Sequence, residues 1–320
     1  MANNTLITET SNGLGCTLTD PPRLAGCPSN LPDSVNTSGY KILFPVDFSS
    51  RSVLAAQHVK VWSEHFGAAL SALHIVESDR YGPWYDQSLY SERSRVVVRR
   101  TADLEFFCHH HFCRNEARAH VLAGNRADEL EYFVNRERVD LIMLPRDHQS
   151  IIGRIFCDSI AAIMLERCRA SVWMTEHLVE NHHPMVKSVL CAMHFKQSTL
   201  LDAQNLRILQ TVRQLVSNFG AEVTFLQVTG NLKPTEPWIE SGTEARSQLW
   251  ILQAQDLLGG SIRLLRKSGN VISGIRDTAA QMRADLVVVG RIRPEAITFG
   301  RQSRILKIDH AVRCPVLSVW

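Results

Sequence analysis

The sequence lacks both an apolar run long enough to cross a bilayer and an excess of one charge. A membrane-spanning helix needs about 20 predominantly apolar residues in succession. The net charge of +3 is too small to favour nucleic acid or an anionic membrane as a partner. Met1–Thr5 also has neither the basic nor the apolar region of a secretory signal. We therefore expect a cytoplasmic protein that binds neither membranes nor nucleic acid.

Familiar catalytic motifs are missing as well. The chain contains no G-x-x-x-x-G-K-[ST], no G-x-S-x-G and no H-E-x-x-H. Its scattered Ser, His and Asp residues suggest no triad, because a triad must be shown by geometry. We expect no dedicated enzyme, with slow ATP hydrolysis as the most that the chain could perform.

The eight cysteines follow no regular spacing. Cys157, Cys191 and Cys314 lie in or beside apolar stretches, which predicts reduced thiols that act as small buried hydrophobes. Cys16 and Cys27 lie in a polar segment, where they could pair, bind metal or stay exposed as free thiols.

An internal repeat is the main feature that the sequence does contain. Lys41–Ser49 opens one half and Lys187–Phe195 opens the other, while Val139–Leu144 and Ala284–Val289 lie late in each half. Matching residues are separated by about 145 positions, which indicates two copies of one domain rather than a short-repeat solenoid.

Short apolar runs alternate with amphipathic stretches in both halves. Nearly all-apolar strands separated by helices predict a parallel sheet covered on both faces, so we expect two tandem, doubly wound, Rossmann-like α/β domains. The predicted strands are Ile42–Val46, Ala69–Val76, Ala119–Leu122, Leu141–Leu144, Ser171–Met174, Val189–Met193, Val223–Val228, Ile262–Leu265, Leu286–Val289 and Val316–Val319. The predicted helices are Ser52–Phe66, Ser91–Arg114, Ala127–Asn135, Ile155–Glu166, Leu200–Asn218, Glu244–Leu258, Ile272–Met282 and Ser303–Val312.

Composition suggests the domain boundaries. Residues 1–39, rich in Asn, Thr, Ser, Gly and Pro, are predicted to form a disordered tail. The first domain would span residues 40–176, a linker residues 177–185, and the second domain residues 186–320.

Three segments carry a family resemblance. Lys41–Ser49, with its Pro-Val-Asp-Phe-Ser ending, Val139–Leu144 and Arg313–Val319 resemble the universal stress protein (UspA) family, over residues 40–176 and again over 185–320. The resemblance implies five parallel strands and four helices in each copy, with pairing through the last strands. Ser171–Met174 and Val316–Val319 would then pair within the chain as a pseudo-twofold dimer, which covers two apolar edges.

One branch of this family binds ATP, through an acidic residue after the first strand and a G-x2-G-x9-G-[S/T] loop after the fourth. In the first half Asp47 occupies the acidic position, although an Asp there also commonly caps the next turn or helix. Pro145, His148 and Asp158 replace the three loop glycines, which disfavours the backbone turns that bring the main chain close to phosphates. The candidate nucleotide-contacting residues of this half are Asp47, Arg146, His148, Gly153, Arg154 and Ser159.

The second half departs from the pattern differently. Gly290 keeps the first glycine, Arg293 replaces the second, and Gln302-Ser303 replaces the Gly-[S/T] pair, while His194 stands where Asp47 stood. The candidates here are Gly290, Arg293 and Ser303. Four arginines follow the fourth strand and could bind an anion or form a solvated surface, namely Arg291, Arg293, Arg301 and Arg304.

Cys108–Cys113 is the remaining unusual segment. His109 and Cys113 are four residues apart on one helix face and are weak candidates for metal ligands. The alternative is a helix whose buried edge includes Leu104, Phe107 and Cys108, with solvated histidines.

Three hypotheses follow. The first is a non-enzymatic stress-response or regulatory protein with degenerate nucleotide loops, which acts through protein partners and needs no cofactor. The second is an ATP- or AMP-binding switch that uses the first half, with ATP as the cofactor. The third is a metal or thiol sensor that uses Cys108–Cys113.

Overall fold

The computed structural model describes only part of the chain. The described residues are 8–10, 39–77, 87–112, 117–145, 160–175, 184–193, 203–229, 251–252, 254–259, 262–291 and 304–320.

The first half alternates strands and helices, as predicted. After the short strand β1 (Thr8–Thr10), this half contains β2 (Lys41–Pro45), α1 (Ser50–Phe66), β3 (Ala69–Glu77), α2 (Gln87–His111), β4 (Ala117–Gly124), α3 (Arg126–Glu137), β5 (Leu141–Pro145), α4 (residues 160–167) and β6 (Ser171–Thr175).

The second half repeats this order. It contains β7 (Ser188–Met193), α5 (Ala203–Phe219), β8 (Glu222–Thr229), α6 (residues 254–258), β9 (Arg263–Ser268), α7 (Val271–Met282), β10 (Leu286–Gly290), α8 (Arg304–Ala311) and β11 (Val316–Val319). All ten predicted strands are confirmed, because an apolar run bounded by turn residues is a local signal that packing does not overrule.

All described strands join one sheet, in the order β1-β9-β8-β7-β10-β11-β6-β5-β2-β3-β4. Within each half the strand that opens the domain lies between its second and fourth strands, and neighbouring strands run parallel. This is a doubly wound arrangement, so the fold class predicted from the repeat is confirmed. The strand order reverses between β2 and β5 in the first half, and between β7 and β10 in the second.

The two halves meet through their last strands. β6 and β11 pair antiparallel, with Val172 opposite Ser318 and Trp173 opposite Leu317. This confirms the predicted pseudo-twofold pairing. Because β6 and β11 then lie at the centre of a continuous sheet, neither leaves an unpaired apolar edge.

The core has one apolar cluster on each face of the sheet, and each cluster contains residues of both halves. One face is covered by α1, α2 and α5, where Trp62 and Phe66 of the first half contact Phe219 of the second at ring-centroid distances of 5.5 and 5.9 Å. The other face is covered by α3, α4, α7 and α8. The apolar burial is therefore shared across the domain boundary.

The same local devices begin and end equivalent helices in the two halves. Asn125 caps α3 and Asn270 caps α7, each through a side-chain oxygen that accepts from two backbone N–H groups of the first turn. Both helices end on a left-handed residue, Arg138 at φ 54° and Arg283 at φ 51°.

Three residues of the N-terminal region are ordered in a strand, although the sequence predicted disorder there. Thr8–Thr10 forms a strand that pairs parallel with β9, whereas residues 1–39 were predicted to be disordered throughout. β9 would otherwise present an edge of unpaired backbone groups, and a β-branched segment such as Thr-Glu-Thr suits pairing with it. Residues 1–7 and 11–38 lie outside the described part of the chain.

Candidate functional site

A cleft opens at the first switch point, beyond the carboxyl ends of β2, β3 and β5. It encloses about 670 Å³, part of it open to solvent. Its walls are largely apolar, and four polar side chains enter it: Asp47, Ser52, His74 and Arg126. The apolar lining is provided by Pro45, Val46, Leu73, Ile75, Leu130, Leu144, Pro145, Ile160 and Ala161.

Asp47 organises the turn between β2 and α1. Its Oδ1 accepts hydrogen bonds from the Ser49 hydroxyl at 2.6 Å, the Ser52 hydroxyl at 2.6 Å and the Ser49 backbone N–H at 3.0 Å. Burial would raise the pKa of the Asp47 carboxyl, but the hydrogen bonds from Ser49 and Ser52 outweigh it and hold that pKa below its usual value. Asp47 thus caps the turn that precedes α1, while Ser49 is the N-cap of that helix, and the Asp47 side chain still reaches the cleft.

Phe48 connects Asp47 to the helix through an unusual backbone conformation. Its φ is 61°, in the left-handed region, which costs a non-glycine residue roughly 1–2 kcal/mol. The Phe48 ring is held against His74 at 4.7 Å and Phe107 at 6.2 Å, with the Arg100 guanidinium 5.5 Å from its centroid. These contacts hold the turn that directs Asp47 towards the serines.

His74, on β3, is a cleft residue that sequence reasoning missed. Its Nδ1 donates to the Val46 carbonyl oxygen at 2.7 Å, which fixes the ring orientation. Burial lowers the pKa of His74, and the positive charges of Arg100 and Arg126 lower it further. These effects favour the neutral form of the imidazole over the charged form. A histidine within an apolar strand was the only sequence signal, and it is more often a sign of packing than of a site.

Arg126 is the second cleft residue that was missed. It is the first residue of α3, and its guanidinium pairs with Glu77 at the end of β3 at 3.1 Å. Its charge favours the ionised form of Asp47 and disfavours the protonated form of His74. Arg126 thus supplies positive charge to the cleft.

Most of the predicted nucleotide-contacting residues lie outside the described part of the chain. This holds for Arg146, His148, Gly153, Arg154 and Ser159 in the first half, and for Arg293 and Ser303 in the second. Their assignment stays a prediction.

Gly290 ends β10 and has a role in packing. A Cβ at this position would lie 2.6 Å from Ile208 Cδ1 and 3.1 Å from Gln204 Nε2, both on α5. Gln204 in turn donates to the Val319 carbonyl oxygen at 2.9 Å. The glycine lets α5 lie close to the end of β10, which accounts for its presence without any bound phosphate.

Arg291 does not lie where the anion-site hypothesis put it. Its side chain is only 3% exposed, and its guanidinium donates to the carbonyl oxygens of Met164, Cys168 and Ala170 at 3.0, 2.8 and 2.7 Å. The Trp320 ring centroid lies 4.9 Å from its Cζ. Burial lowers the pKa of Arg291 to about 10, so it stays charged at neutral pH.

This arrangement corrects the expectation that Arg291 is part of an anion-binding or solvated loop. The arginine belongs to the second half, while its three acceptors lie at the carboxyl end of α4 in the first half. Carbonyl oxygens at the carboxyl end of a helix carry partial negative charge and attract a cation, and the Met164 oxygen accepts from Arg291 in addition to the Cys168 backbone N–H. Arg291 is therefore an interdomain cap, and it is not available to an external anion.

The Cys108–Cys113 segment matches the alternative interpretation as far as it is described. Leu104, Phe107 and Cys108 are buried, while His109 is exposed. Burial and the nearby Glu105 raise the pKa of the Cys108 thiol to about 11, which makes it a poor nucleophile and metal ligand. Cys113 lies outside the described residues, within which no three His, Cys, Asp or Glu side chains are grouped as a metal site would require.

The other described cysteines are free and buried, as predicted for Cys191 and Cys314. Burial raises the pKa of Cys168 to about 11 and of Cys314 to about 12, and raises that of Cys191 further. Cys16, Cys27 and Cys157 lie outside the described residues.

Within the described chain, no helix combines the length and apolar character that a bilayer crossing requires.

Comparison with known proteins agrees with this fold. The model of the universal stress protein family matches residues 40–176. A universal stress protein from Archaeoglobus fulgidus DSM 4304 superposes with a TM-score of 0.62 at 16% identity, over 87% of this chain and 95% of that one. A functionally unknown protein from Pseudomonas aeruginosa PAO1 superposes with a TM-score of 0.59 at 12% identity, over 88% and 93%. None of the curated proteins compared with the chain matches it. At these identities the structural likeness establishes the tandem fold alone.

Proposed function

Because this chain belongs to the universal stress protein family through its residues 40–176, we propose that it is a non-enzymatic regulatory protein of the stress response. In this proposal the nucleotide loops of both halves are degenerate and the protein acts in the cytoplasm through protein partners, without nucleic acid or membrane. The fold joins the two halves in one continuous sheet.

The main support for this proposal is that the polar groups in the first-half cleft are engaged in hydrogen bonds and an ion pair of the fold. Asp47 accepts three hydrogen bonds at Oδ1, His74 donates from Nδ1 to the Val46 carbonyl oxygen, and Arg126 is paired with Glu77. A general acid or base needs a pKa near the working pH and a free path for its proton. Each of these groups instead serves the local structure, which supports binding or scaffolding over catalysis.

The second half supports the same conclusion. Gly290 leaves room for α5 to pack against the end of β10, and the neighbouring Arg291 caps the carboxyl end of α4. Gly290 and Arg291, the part of this loop that the structure describes, are thus engaged in packing. The remaining arginines of that loop and the N-terminal tail are the regions that we assign to contacts with other proteins.

Small molecules released from the freshly purified protein provide the test. We expect mass spectrometry to find no stoichiometric nucleotide, and an assay with ATP–Mg²⁺ to show no phosphate release above that of the buffer. Stoichiometric ATP, or turnover that is lost in an Asp47→Ala variant, would contradict the proposal.

A second candidate is an ATP- or AMP-binding switch in the first half, and one observation favours it. The cleft lies at the switch point, where ligands of doubly wound sheets bind, and Arg126 reaches it from the N-terminus of α3. A phosphate could compete with Glu77 for the Arg126 guanidinium.

Calorimetry with AMP and with ATP–Mg²⁺ distinguishes the switch from the first proposal. If the switch exists, Arg126→Ala weakens binding by about tenfold or more, the scale of a lost charged contact. Glu77→Gln should strengthen binding, because it releases the arginine. Arg276→Ala serves as a control, since Arg276 pairs with neighbouring Asp277 on an exposed helix face of the second half. No heat with either nucleotide would exclude the switch.

A further inference from the structure

The second half of the sheet ends at β9, where the chain covers only part of the available backbone edge. β9 has six residues, Arg263–Ser268, and the strand Thr8–Thr10 is in register with three of them, Leu264, Leu265 and Arg266. An edge strand offers backbone hydrogen-bonding groups along its whole length. β1 therefore leaves room at both ends of β9 for a longer strand to pair.

Two basic side chains give this edge a positive charge. Alternate residues of a strand share a face, so Arg263, Leu265 and Lys267 lie on the same face of β9. Arg263 is exposed and Lys267 is half-buried. Glu9 is in register with Leu265, which places residue 9 on this face between the two cations. Opposite charges at neighbouring positions of paired strands attract each other, so the edge favours an acidic residue at this position.

The other end of the sheet provides a comparison within the same molecule. β4 is the equivalent of β9, since each leads into an asparagine-capped helix at a matching position of the repeat. Arg118 and Leu122 of β4 correspond to Arg263 and Lys267, so this face of β4 has one permanent cation where β9 has two. β4 is the longer strand, yet no described strand pairs with its outer side. The N-terminal segment therefore lies on the more positively charged edge, not on the longer one.

The chain's own segment uses this edge incompletely. Continued in the same register, Ile7 would lie opposite Arg263 and Ser11 opposite Lys267, and neither residue is charged. A strand that paired with all six residues of β9 would form about twice as many ladder contacts. Acidic residues opposite Arg263 and Lys267 would add two ion pairs that Thr8–Thr10 does not provide.

A second copy of this chain is a weak competitor for the same edge. β1 and β2 are eight strand positions apart in the sheet, a distance of about 38 Å at about 4.8 Å per strand. Residues 11–40 can span up to about 100 Å, so the connection permits pairing within one chain. A segment that is covalently attached acts at an effective concentration on the order of millimolar. A second copy brings the same three residues without this advantage, whereas a longer acidic segment gains additional contacts.

We propose that the outer edge of β9 is a strand-addition site for an extended segment of another protein, with acidic residues at alternate positions, and that Thr8–Thr10 competes for it. The added strand runs parallel to β9, as Thr8–Thr10 does. This deepens the proposed action through protein partners and rests on it. The nucleotide measurements given above test that function separately, so a failure of the strand-addition site is distinguishable from a failure of the function.

A labelled peptide of Glu-Thr repeats long enough to span β9 is the probe, and fluorescence anisotropy with the full chain measures its affinity. Arg263→Glu should weaken binding by about tenfold or more, because it replaces an attraction with a repulsion. Arg118→Glu, at the equivalent exposed position of β4, is the matched control and should change the dissociation constant by less than about twofold. Equal effects of the two variants, or no binding to the wild type up to about 1 mM, would overturn the proposal.

A peptide of Lys-Thr repeats provides a gain of binding that a poorly folded variant would not give. It should bind the double variant Arg263→Glu with Lys267→Glu at least about tenfold more tightly than the wild type. Arg276→Glu with Arg283→Glu makes the same change of net charge at exposed positions of α7 and at its end, and should show no such gain. If both double variants gain equally, net charge and not the β9 edge governs the binding, and the proposal is wrong.

Unseating the chain's own segment tests the competition. Thr8→Pro with Glu9→Pro removes at least one ladder donor, because successive N–H groups of a strand point to opposite sides. The Glu-Thr peptide should then bind about threefold to tenfold more tightly, whereas Asn3→Pro with Asn4→Pro should leave its affinity within about twofold. Unchanged affinity after unseating would show that Thr8–Thr10 does not compete. Sedimentation velocity should find a monomeric wild type, and a dimer that the Thr8→Pro, Glu9→Pro variant loses would make a second copy the occupant and overturn the proposal.

Discussion

The guanidinium of Arg291 and the carboxylate of Asp47 lie at equivalent ends of the two domains, and both are engaged by the fold. Arg291 binds three carbonyl oxygens across the domain boundary, and Asp47 binds three donors within its own turn. Arg291 is buried, and a buried charge is tolerated only when its hydrogen-bonding capacity is nearly satisfied. Asp47 is exposed, but a change of partner would cost it three hydrogen bonds. Residues at a ligand-binding position can thus be retained for structural reasons.

Replacing Arg291 tests the interdomain cap. Arg291→Met should lower the free energy of unfolding by about 2–5 kcal/mol, because three charged hydrogen bonds across the domain boundary are lost. Arg291→Lys should lie between this variant and the wild type, since an ammonium cannot reproduce the planar fork. Urea denaturation measures both. Arg304→Met, at an exposed arginine of the second half, is the control and should change stability by less than about 0.5 kcal/mol. Equal stability of Arg291→Met and the wild type would contradict the assigned role.

Asp47 provides a pH-dependent prediction. Because its folded-state pKa lies below the unfolded value of about 3.9, its contribution is present above that pH and is lost as the pH falls through the folded pKa. Asp47→Asn should therefore lower the free energy of unfolding by about 1–2 kcal/mol at neutral pH, which is the usual contribution of charged hydrogen bonds and caps. The difference between the variant and the wild type should become smaller in acid. Denaturation from pH 7 to pH 3 measures this. Asp277→Asn, on an exposed face of α7, is the control, and its stability difference from the wild type should not change with pH. If the stability difference of Asp47→Asn is also the same at every pH, the serines do not bind an ionised carboxylate at position 47.

At the scale of elements, α3 and α7 use the same beginning and end in the two halves. Each starts at an Asn cap and stops at an arginine with positive φ, 145 positions apart along the chain in both cases. The two halves have diverged in their loops and have kept the devices that position the helices on the sheet. These devices are local, so each can be altered without disturbing the other half.

Substitution of glycine at one helix end should stabilise the protein. Arg283→Gly should raise the free energy of unfolding by about 0.5–1 kcal/mol, because glycine adopts the left-handed C-terminal position without strain. Arg276→Gly, within the same helix, should lower it by about 1 kcal/mol, because glycine is a poor helix former. Thermal denaturation of both variants measures the difference, and a destabilised Arg283→Gly protein would show that the arginine side chain has a contact of its own.

At the scale of the whole molecule, the tandem chain is a single body. The sheet runs through β6 and β11 without a break, and both apolar clusters contain residues of each half. Arg291 adds polar contacts to this apolar boundary. Neither half could separate without exposing Trp173 and breaking the ladder between the last strands.

Unfolding should accordingly occur in one transition. Calorimetry should give equal calorimetric and van't Hoff enthalpies, because the shared core couples the halves. Trp173→Ala should lower the stability by about 3–5 kcal/mol, the usual cost of removing a buried tryptophan. Its control, Trp320→Ala, removes a ring that is only partly buried and should cost less. Two resolved transitions in the wild-type protein would show that the halves unfold independently.

The sequence by itself determined the repeat and the strands, and its resemblance to the universal stress protein family implied the pairing of the last strands. Apolar runs and helical periodicity are local properties, and the match between Val139–Leu144 and Ala284–Val289 indicates two copies of one domain in the chain. The sequence also identified Asp47, both as a candidate nucleotide contact and as a cap of the next turn or helix. It identified Leu104, Phe107 and Cys108 as a buried helix edge.

Only the tertiary structure decided where particular polar side chains go. Arg291 reaches Cys168, more than 120 positions away, and His74 and Arg126 meet Asp47 in one cleft although they lie on different elements. These contacts depend on how segments distant in sequence pack together. A single arginine or histidine has no periodicity in the sequence that would identify its partner. The fold was therefore predictable from local pattern, whereas the engagement of its charged groups required the packed structure.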